Sequence, residues 1–380
     1  MARIKLRGMT WGHRRAIDPL LATKSLFEQQ HPEIEIEWSS RPLHGFEFTP
    51  VPDLAREYDL IVLDHPFCGE IAATRCLIPV DEVIAASGGD RYVGPSLGSY
   101  TYAGACWAVP IDAACQVAVS RPDLLHALDA MPPIDWRELL ALGRKASGNG
   151  LKLAIGLKGV HSLMTFFTLC ANLGRPCATD PEQPLVDRDT ARAALDHIRA
   201  LLAYCPGESL DWNSIELHDV MVARDDLVTC PAVYCYATYA ENDQRKPLRF
   251  HDLPGPNGPK GSTIGGTGLG LSALRGAGEA ALAYARFAAS PEVQRLFAAH
   301  HGQPARRETW TDPAIDARFG RCYSATLKTM EACWTRPRFP GYLGFQAKAG
   351  DLIEQHLRGA VDEAALLDRL QIAFEASGKR

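Results

Sequence analysis

Apolar positions along the chain recur at two periods, and the switches between them outline an α/β protein. IKLRGMTW alternates, which predicts a first strand over about 4–9 that ends in a Trp11-Gly12-His13 loop. Ile17, Leu20, Leu21 and Phe27 then fall near 3.6-residue spacing, a helix over 14–30 in which Pro19 fits only in the first turn. IEIEW (34–38) returns to period 2, and the unbroken apolar run in YDLIVLD (58–64) has the character of a strand buried on both faces. The first third is thus β-α-β-loop-β, an open α/β sheet. Further on, 104–119 is long and nearly uncharged, with Pro110 where two strands would meet. Helices are expected over 136–146, 162–173, 189–202, 278–301, 326–331 and 352–376, and strands at KLAIGL (152–157), 228–236 and IGGTGLGLSA. Residues 250–270, dense in Gly and Pro, read as a loop whose final part runs into the IGGTGLGLSA strand.

Composition narrows the class. The chain has 380 residues, enough for two or three domains. Its 46% apolar and 22% charged residues are an ordinary globular balance, which excludes a disordered chain. A net charge of -5 argues against nucleic acid as partner. No apolar run approaches about 18 residues, so no membrane span is expected. MARIKLRGMTW lacks the apolar stretch of a secretory signal, so the expected location is cytoplasmic, or periplasmic if a signal has been removed. The eleven cysteines are odd in number and lack CxxC spacing, so they read as small buried hydrophobes in a reducing compartment.

Motifs for catalysis or cofactors are weak. GTGLG (266–270) lacks the last glycine of a dinucleotide fingerprint and sits too late in the chain to open such a unit. GPNGPKGS has no GK[ST], and neither HExxH nor GxSxG occurs. The histidines are scattered without metal-ligand spacing, so neither cofactor nor metal is expected. Asp225-Asp226 reads as a solvated turn and His300-His301 as a helix end. The loops that follow strands weigh more, because open α/β sheets bind ligands beyond the carboxyl ends of their strands. Three loops qualify: Trp11-Gly12-His13, Asp64-His65-Pro66 and Lys158-Gly159-Val160-His161. A tryptophan face beside Asp and His suits a sugar, which stacks through its CH face and bonds through its hydroxyls. Packing and capping explain the same residues one at a time; Asp64 could simply cap a helix that starts near Phe67.

These segments together resemble the extracellular solute-binding proteins of ABC importers, in the large sugar-binding group that includes maltose-binding protein. SLFEQQHPEIEIEW resembles that family's run into its second strand, and YDLIVLDHPFCGEI with LIPVDEVI its strand leading to a ligand loop. YAGACWAVPIDAACQVAVSRPDLL is similar to its passage between lobes, PPIDWRELLALGRK to its Trp-bearing helix, IGGTGLGLSA to its returning strand, and HGQPARRETWTDP to a late turn. The missing signal and the eleven cysteines depart from the family, and DHPFCG with the opening MTWGHRR resembles a subgroup that begins directly at the first strand.

The resemblance implies a two-lobed periplasmic-binding-protein fold, with 1–110 plus 263–308 in one lobe and 111–262 plus 309–380 in the other, closing on a ligand in the cleft. It places Trp11, His13, Asp64 and His65 there from the first lobe. Asp112 and Gln116 follow at the first crossing, Trp212, Tyr234 and Tyr236 come from the second lobe, and Gly265, Gly266, Thr267 and Arg306 from the return. Tyr234 and Tyr236, two apart, would share a sheet face, and the glycines would let a ligand approach the backbone. The function implied is non-catalytic binding of a small polar solute, a carbohydrate first, with an ABC permease as the further partner. Arg14, Arg15, Arg41, His13 and His65 would instead suit a small anion. An enzyme on the same scaffold, using His65 or His13 beside Asp64, and a cytoplasmic sensor or carrier are the other readings.

Overall fold

The computed structural model describes residues 3–43, 45, 49–89 and 91–379. The chain divides into two compact α/β units. One comprises Met1–Ala114, Gly265–Ile315 and Arg338–Pro340; the other comprises Cys115–Ile264, Asp316–Pro337 and Gly341–Arg380. The strands are β1 (Ile4–Trp11), β2 (Ile34–Arg41), β3 (Leu60–Leu63), β4 (Thr101–Tyr102), β5 (Ala105–Cys106), β6 (Val109–Ser120), β7 (Thr229–Tyr234), β8 (Arg249–His251) and β9 (Ile264–Leu271).

In the first unit β1 is central. It pairs in parallel with β2 from Ile4↔Ile34 to Trp11↔Arg41, and with β3 at Gly8↔Leu60. β9 runs antiparallel to β3, Leu60 opposite Leu271. All four residues of β3 are buried, as its unbroken apolar run requires. Gly8 is fixed by its β2 neighbour, since a Cβ there would meet the Trp38 ring at 2.4 Å. The helix Arg14–Gln30 buries Arg15, Ala16, Pro19, Leu20, Thr23 and Phe27, a stripe at 3–4 spacing. Pro19 sits in the second turn, not the first. It gives up the bond to the carbonyl four residues back, and the apolar burial around it offsets the loss.

The second unit takes the end of β6, paired antiparallel with β7 (Gln116↔Tyr234, Ser120↔Thr229) and with β8 (Ala118↔His251). The helix Val160–Asn172 is buried almost all round, with only Ala171 of its thirteen residues outside the buried set. The helix Tyr342–Leu357 comes so close that a Cβ on Gly350 would lie 2.8 Å from the Gly159 backbone. Asp135, Asp187, Asn213 and Asp362 cap four other helices through their side chains.

Several expected elements came out differently. The 104–119 stretch is a short β4–β5 hairpin followed by β6, twelve buried residues that absorb Pro110 without a break. KLAIGL makes one bridge, Lys152 to Leu227, and otherwise stays irregular, because its backbone bonds go to scattered partners such as Tyr204 and Ser209. The 278–301 helix is two, Gly278–Ala289 and Pro291–Ala299. Ser290 accepts from Val293 N and Pro291 takes the first helical position, where its missing N–H costs nothing. Tyr342–Leu357 and Glu363–Ser377 likewise split the expected 352–376 helix at Gly359, whose φ is +81°.

A strap of three residues, Arg338–Pro340, belongs to the first unit, although the sequence reading set it in the second lobe. The Arg338 guanidinium donates to the carbonyls of Gly98, Ser99 and Thr101 at 2.7, 2.9 and 2.7 Å. Beneath it, any Cβ on Gly69 would lie 1.9 Å from the Arg338 carbonyl oxygen.

Candidate functional site

Strand directions gather the first-unit candidates. β1 and β3 are parallel and β9 is antiparallel to β3, so the end of β1, the end of β3 and the start of β9 share one edge. Trp11 closes β1, Asp64 follows β3, and Gly265-Gly266 open β9. The N-terminus of the helix Arg14–Gln30 follows at once, with His13 as its cap; His13 Nδ1 accepts from Arg15 N at 3.1 Å, which fixes a half-buried imidazole. Asp64 accepts from His65 N at 2.9 Å and lies 3.1 Å from His65 Nδ1, with its side chain 22% exposed. Asp64 therefore caps the following turn, as the simpler reading held, and still shows part of its carboxylate. Gly265 and Gly266 are half-buried, whereas the rest of β9 is buried.

The other first-unit candidates support this edge from behind. His65 is fully buried and meets Tyr100 edge-on at 6.2 Å. The Tyr100 hydroxyl lies 3.1 Å from the Leu63 carbonyl and 3.3 Å from that of Gly266, which ties the end of β3 to the start of β9. Asp112 and Arg15 form a buried bidentate pair, Nε to Oδ2 at 2.8 Å and Nη2 to Oδ1 at 2.5 Å. Burial holds the Asp112 carboxyl above its usual range, and Arg15 opposes that shift. Trp11 is 4% exposed and, with Arg15, Asp112, Thr267, Phe297 and Gln303, walls a cavity of about 10 Å³, room for about one water. Of the cationic residues noted for an anion, Arg15 is committed to Asp112, Arg41 bonds Glu57, and Arg14 contacts His301.

The glycine argument changes at Gly266. Its φ is +90°, and the atom closest to a Cβ there would be the Asp112 carbonyl oxygen at 2.4 Å. The chain's own backbone, in addition to any ligand, demands glycine at this position. Gly266→Ala is expected to cost roughly 1–3 kcal/mol in urea denaturation. Gly98→Ala, where no neighbour among the described residues lies within 4 Å of a new Cβ, should stay within about 0.5 kcal/mol. Equal losses at the two positions would remove the close-approach argument.

Arg306 does not join the edge. It is 1% exposed, donates to the Ser87 carbonyl at 2.7 Å and to Glu308 at 2.9 Å, and lies 5.2 Å from the Tyr92 ring centre. Its guanidinium is spent on packing, the outcome that a buried cation requires.

In the second unit Gln116 is 1% exposed. Its amide donates to Thr165 Oγ1 at 3.3 Å and accepts from Thr168 Oγ1 at 2.6 Å, which makes it a core polar link. Tyr234 is half-buried at the end of β7, opposite Gln116, and Trp212 is 9% exposed. Tyr236 lies beyond the strand end and packs against His218 at 5.7 Å and Tyr239 at 6.5 Å, so the expected shared face with Tyr234 does not form. Lys158 pairs with Glu216, and His161 is buried beside Ser214 Oγ at 3.2 Å, its pKa pushed down to about 4 by burial. Asp225 and Asp226 are held in ion pairs by Arg121, Lys246 and Arg224, which keep both carboxylates below their usual range. Sequence reasoning missed the Arg15–Asp112 pair and the Arg338 strap. The WTRPRFPGY cluster of aromatics, prolines and arginines was the signal available for the strap.

The profile of the family described as bacterial extracellular solute-binding protein matches residues 46–314. No curated protein matches the chain. Among solved structures, maltose-bound MalE3 of Thermotoga maritima is similar at 19% identity and a TM-score of 0.85, over 98% of this chain and 99% of that one. An ABC-transporter solute-binding protein of Thermotoga lettingae with α-D-tagatose gives 16% and 0.83, over 99% of each chain. One of Agrobacterium vitis with D-mannitol gives 15% and 0.79, over 100% and 99%. At such identities these likenesses establish the fold, and the profile match over most of the sequence establishes the kinship: the chain belongs to the bacterial extracellular solute-binding proteins.

Proposed function

We propose that this protein binds a small polyhydroxylated solute, a sugar or a sugar alcohol, without transforming it, and delivers it to an ABC permease. The observation that carries the reading is the first-unit edge, where a part-exposed carboxylate (Asp64), a fixed imidazole (His13) and the half-buried Gly265-Gly266 backbone stand at the ends of adjacent strands. Such a set offers acceptors and donors to hydroxyls, while Trp11, 4% exposed, supports the edge from behind. The maltose, tagatose and mannitol named with the related structures are of this class. The full burial of His65 removes one of the two imidazoles named for the enzyme reading, His65 or His13, from reach of a substrate. The commitment of Arg15 and Arg41 to carboxylates counts against the anion reading. For location, the family is extracellular, while the eleven cysteines favour a reducing compartment; cell fractionation with an antibody decides between the two.

A thermal-shift screen over sugars, polyols, phosphates and organic acids tests the function, with every hit assayed for consumption. A sugar or polyol should raise the melting temperature and be recovered intact. Asp64→Asn keeps a capping side chain but removes the charge, and should weaken that ligand about tenfold or more in calorimetry. A phosphate-only response would favour the anion reading, a consumed hit would favour an enzyme, and unchanged affinity in Asp64→Asn would remove the edge as the site.

A further inference from the structure

Eight of the eleven cysteines lie in the second unit, and they are not scattered. The sulfurs of Cys235 and Cys322 are 3.3 Å apart, and the two residues are 2% and 1% exposed. Cys235 N donates to the Cys115 carbonyl at 3.1 Å, and the Cys115 thiol in turn adjoins that of Cys333. Four thiols from three distant stretches of sequence therefore form a chain in space, Cys322–Cys235–Cys115–Cys333. Its tightest link joins the first residue of the helix Cys322–Glu331 to the residue just past β7.

The geometry points to Cys235 and Cys322 as a disulfide-forming pair that closes when the chain folds in an oxidising medium. A disulfide needs its sulfurs about 2.05 Å apart, so rotation of the two side chains supplies most of the remaining approach. Cys235 also neighbours Cys115, whose carbonyl accepts from Cys235 N at 3.1 Å, so a Cys235–Cys115 bond is the competing product. Burial shields both thiols in the folded molecule, so the reaction belongs to folding, before the helix has docked. With a small-molecule disulfide such as oxidised glutathione as oxidant, the Cys235 thiol loses its proton and the thiolate attacks one glutathione sulfur. That step breaks the glutathione S–S bond and releases one glutathione thiolate. The Cys322 thiolate then attacks the Cys235 sulfur of the mixed disulfide and expels the second. Two protein thiols are oxidised, one glutathione disulfide is reduced to two thiols, and the two protons end on those. The bond spans 87 residues of sequence and constrains the unfolded chain accordingly.

The test is oxidative refolding of the full chain from denaturant in a glutathione buffer, alkylation of remaining thiols, and digestion without reductant. The expected result is a peptide pair joining Cys235 to Cys322, an intact mass lower by two hydrogens for each bond, and a melting temperature that falls when reductant is added. Cys322→Ala should lose both the linked peptide and that reductant-sensitive shift. If this variant fails to fold, the wild-type peptide map decides alone. Eleven alkylated cysteines in soluble refolded protein, or Cys235 joined to Cys115 or any other residue, overturns the assignment.

Discussion

Asp112→Ala is expected to destabilise the protein by about 3–5 kcal/mol, the cost of leaving a buried cation without its counter-ion. The side chains of Arg15 and Asp112 are 4% and 7% exposed and meet through two nitrogen–oxygen contacts, so truncation of the carboxylate strips a desolvated guanidinium of its main anionic partner. The converse substitution, Arg15→Met, leaves a carboxylate that burial already penalises, and it should prove nearly as costly. The pair does not thereby become a net source of stability. Apolar replacement of both partners is often neutral or better, because no charge is then left in the interior. Arg15→Met with Asp112→Leu should accordingly lose much less than the sum of the single losses. Urea denaturation of the four proteins, compared at constant m, closes the cycle. Single losses under about 1 kcal/mol would mean that water reaches the pair. The location matters for function, since Asp112 lies three residues before β6 enters the second unit and its carboxyl also bonds the Thr267 backbone of β9.

Much of this architecture was legible because it follows from local periodicity. The helix Arg14–Gln30 was expected with both its ends, and β2 and β3 declared themselves by alternation and by an unbroken apolar run. What failed was punctuation. Ser290-Pro291 splits a helix that apolar spacing alone joined, and Pro110 does not split a strand that its ring appeared to divide. In both cases the deciding fact is whether the proline's missing N–H would have had a partner, which only the fold determines. Long-range consequences were hidden for a related reason. Trp11, Asp64 and Gly266 were placed together by the family resemblance, but nothing local told that Arg306 would be consumed by Ser87 and Glu308, or Gln116 by Thr165 and Thr168. A polar residue near a strand end looks the same in sequence whether it faces solute or ties two elements together. The strap at Arg338–Pro340 shows the limit, because it is held by backbone carbonyls of 98–101, which any sequence offers, and by the space left at Gly69.

Acid should unfold this protein in two stages, and the first is set by two histidines of the second unit. Burial pushes the pKa of His161 and of His251 from 6.5 down to about 4. Arg249 adds to the effect at His251, while at His161 Glu216 opposes burial and Arg336 and Lys158 reinforce it. Both rings are therefore neutral in the folded protein at pH values where the unfolded chain already binds their protons. Because the unfolded state carries more protons in that window, stability must fall as pH drops from about 6.5 to about 4, by up to roughly 3 kcal/mol for each ring. The second stage comes lower. Asp123, Asp225 and Asp226 are held below the usual carboxylate range by hydrogen bonds to Arg121, Lys246 and Arg224, so what they contribute is kept through the histidine window and lost only as they protonate in stronger acid. Urea midpoints at about pH 7, 5.5 and 4.5 separate the stages. The wild type should lose most of its stability between the first and last, whereas His161→Gln with His251→Gln should start less stable and change far less over the same range. A wild-type profile that stays flat down to about pH 4.5 would mean that these rings protonate in the fold without penalty, against the burial of His161 beside Ser214 and the half-burial of His251 at the end of β8.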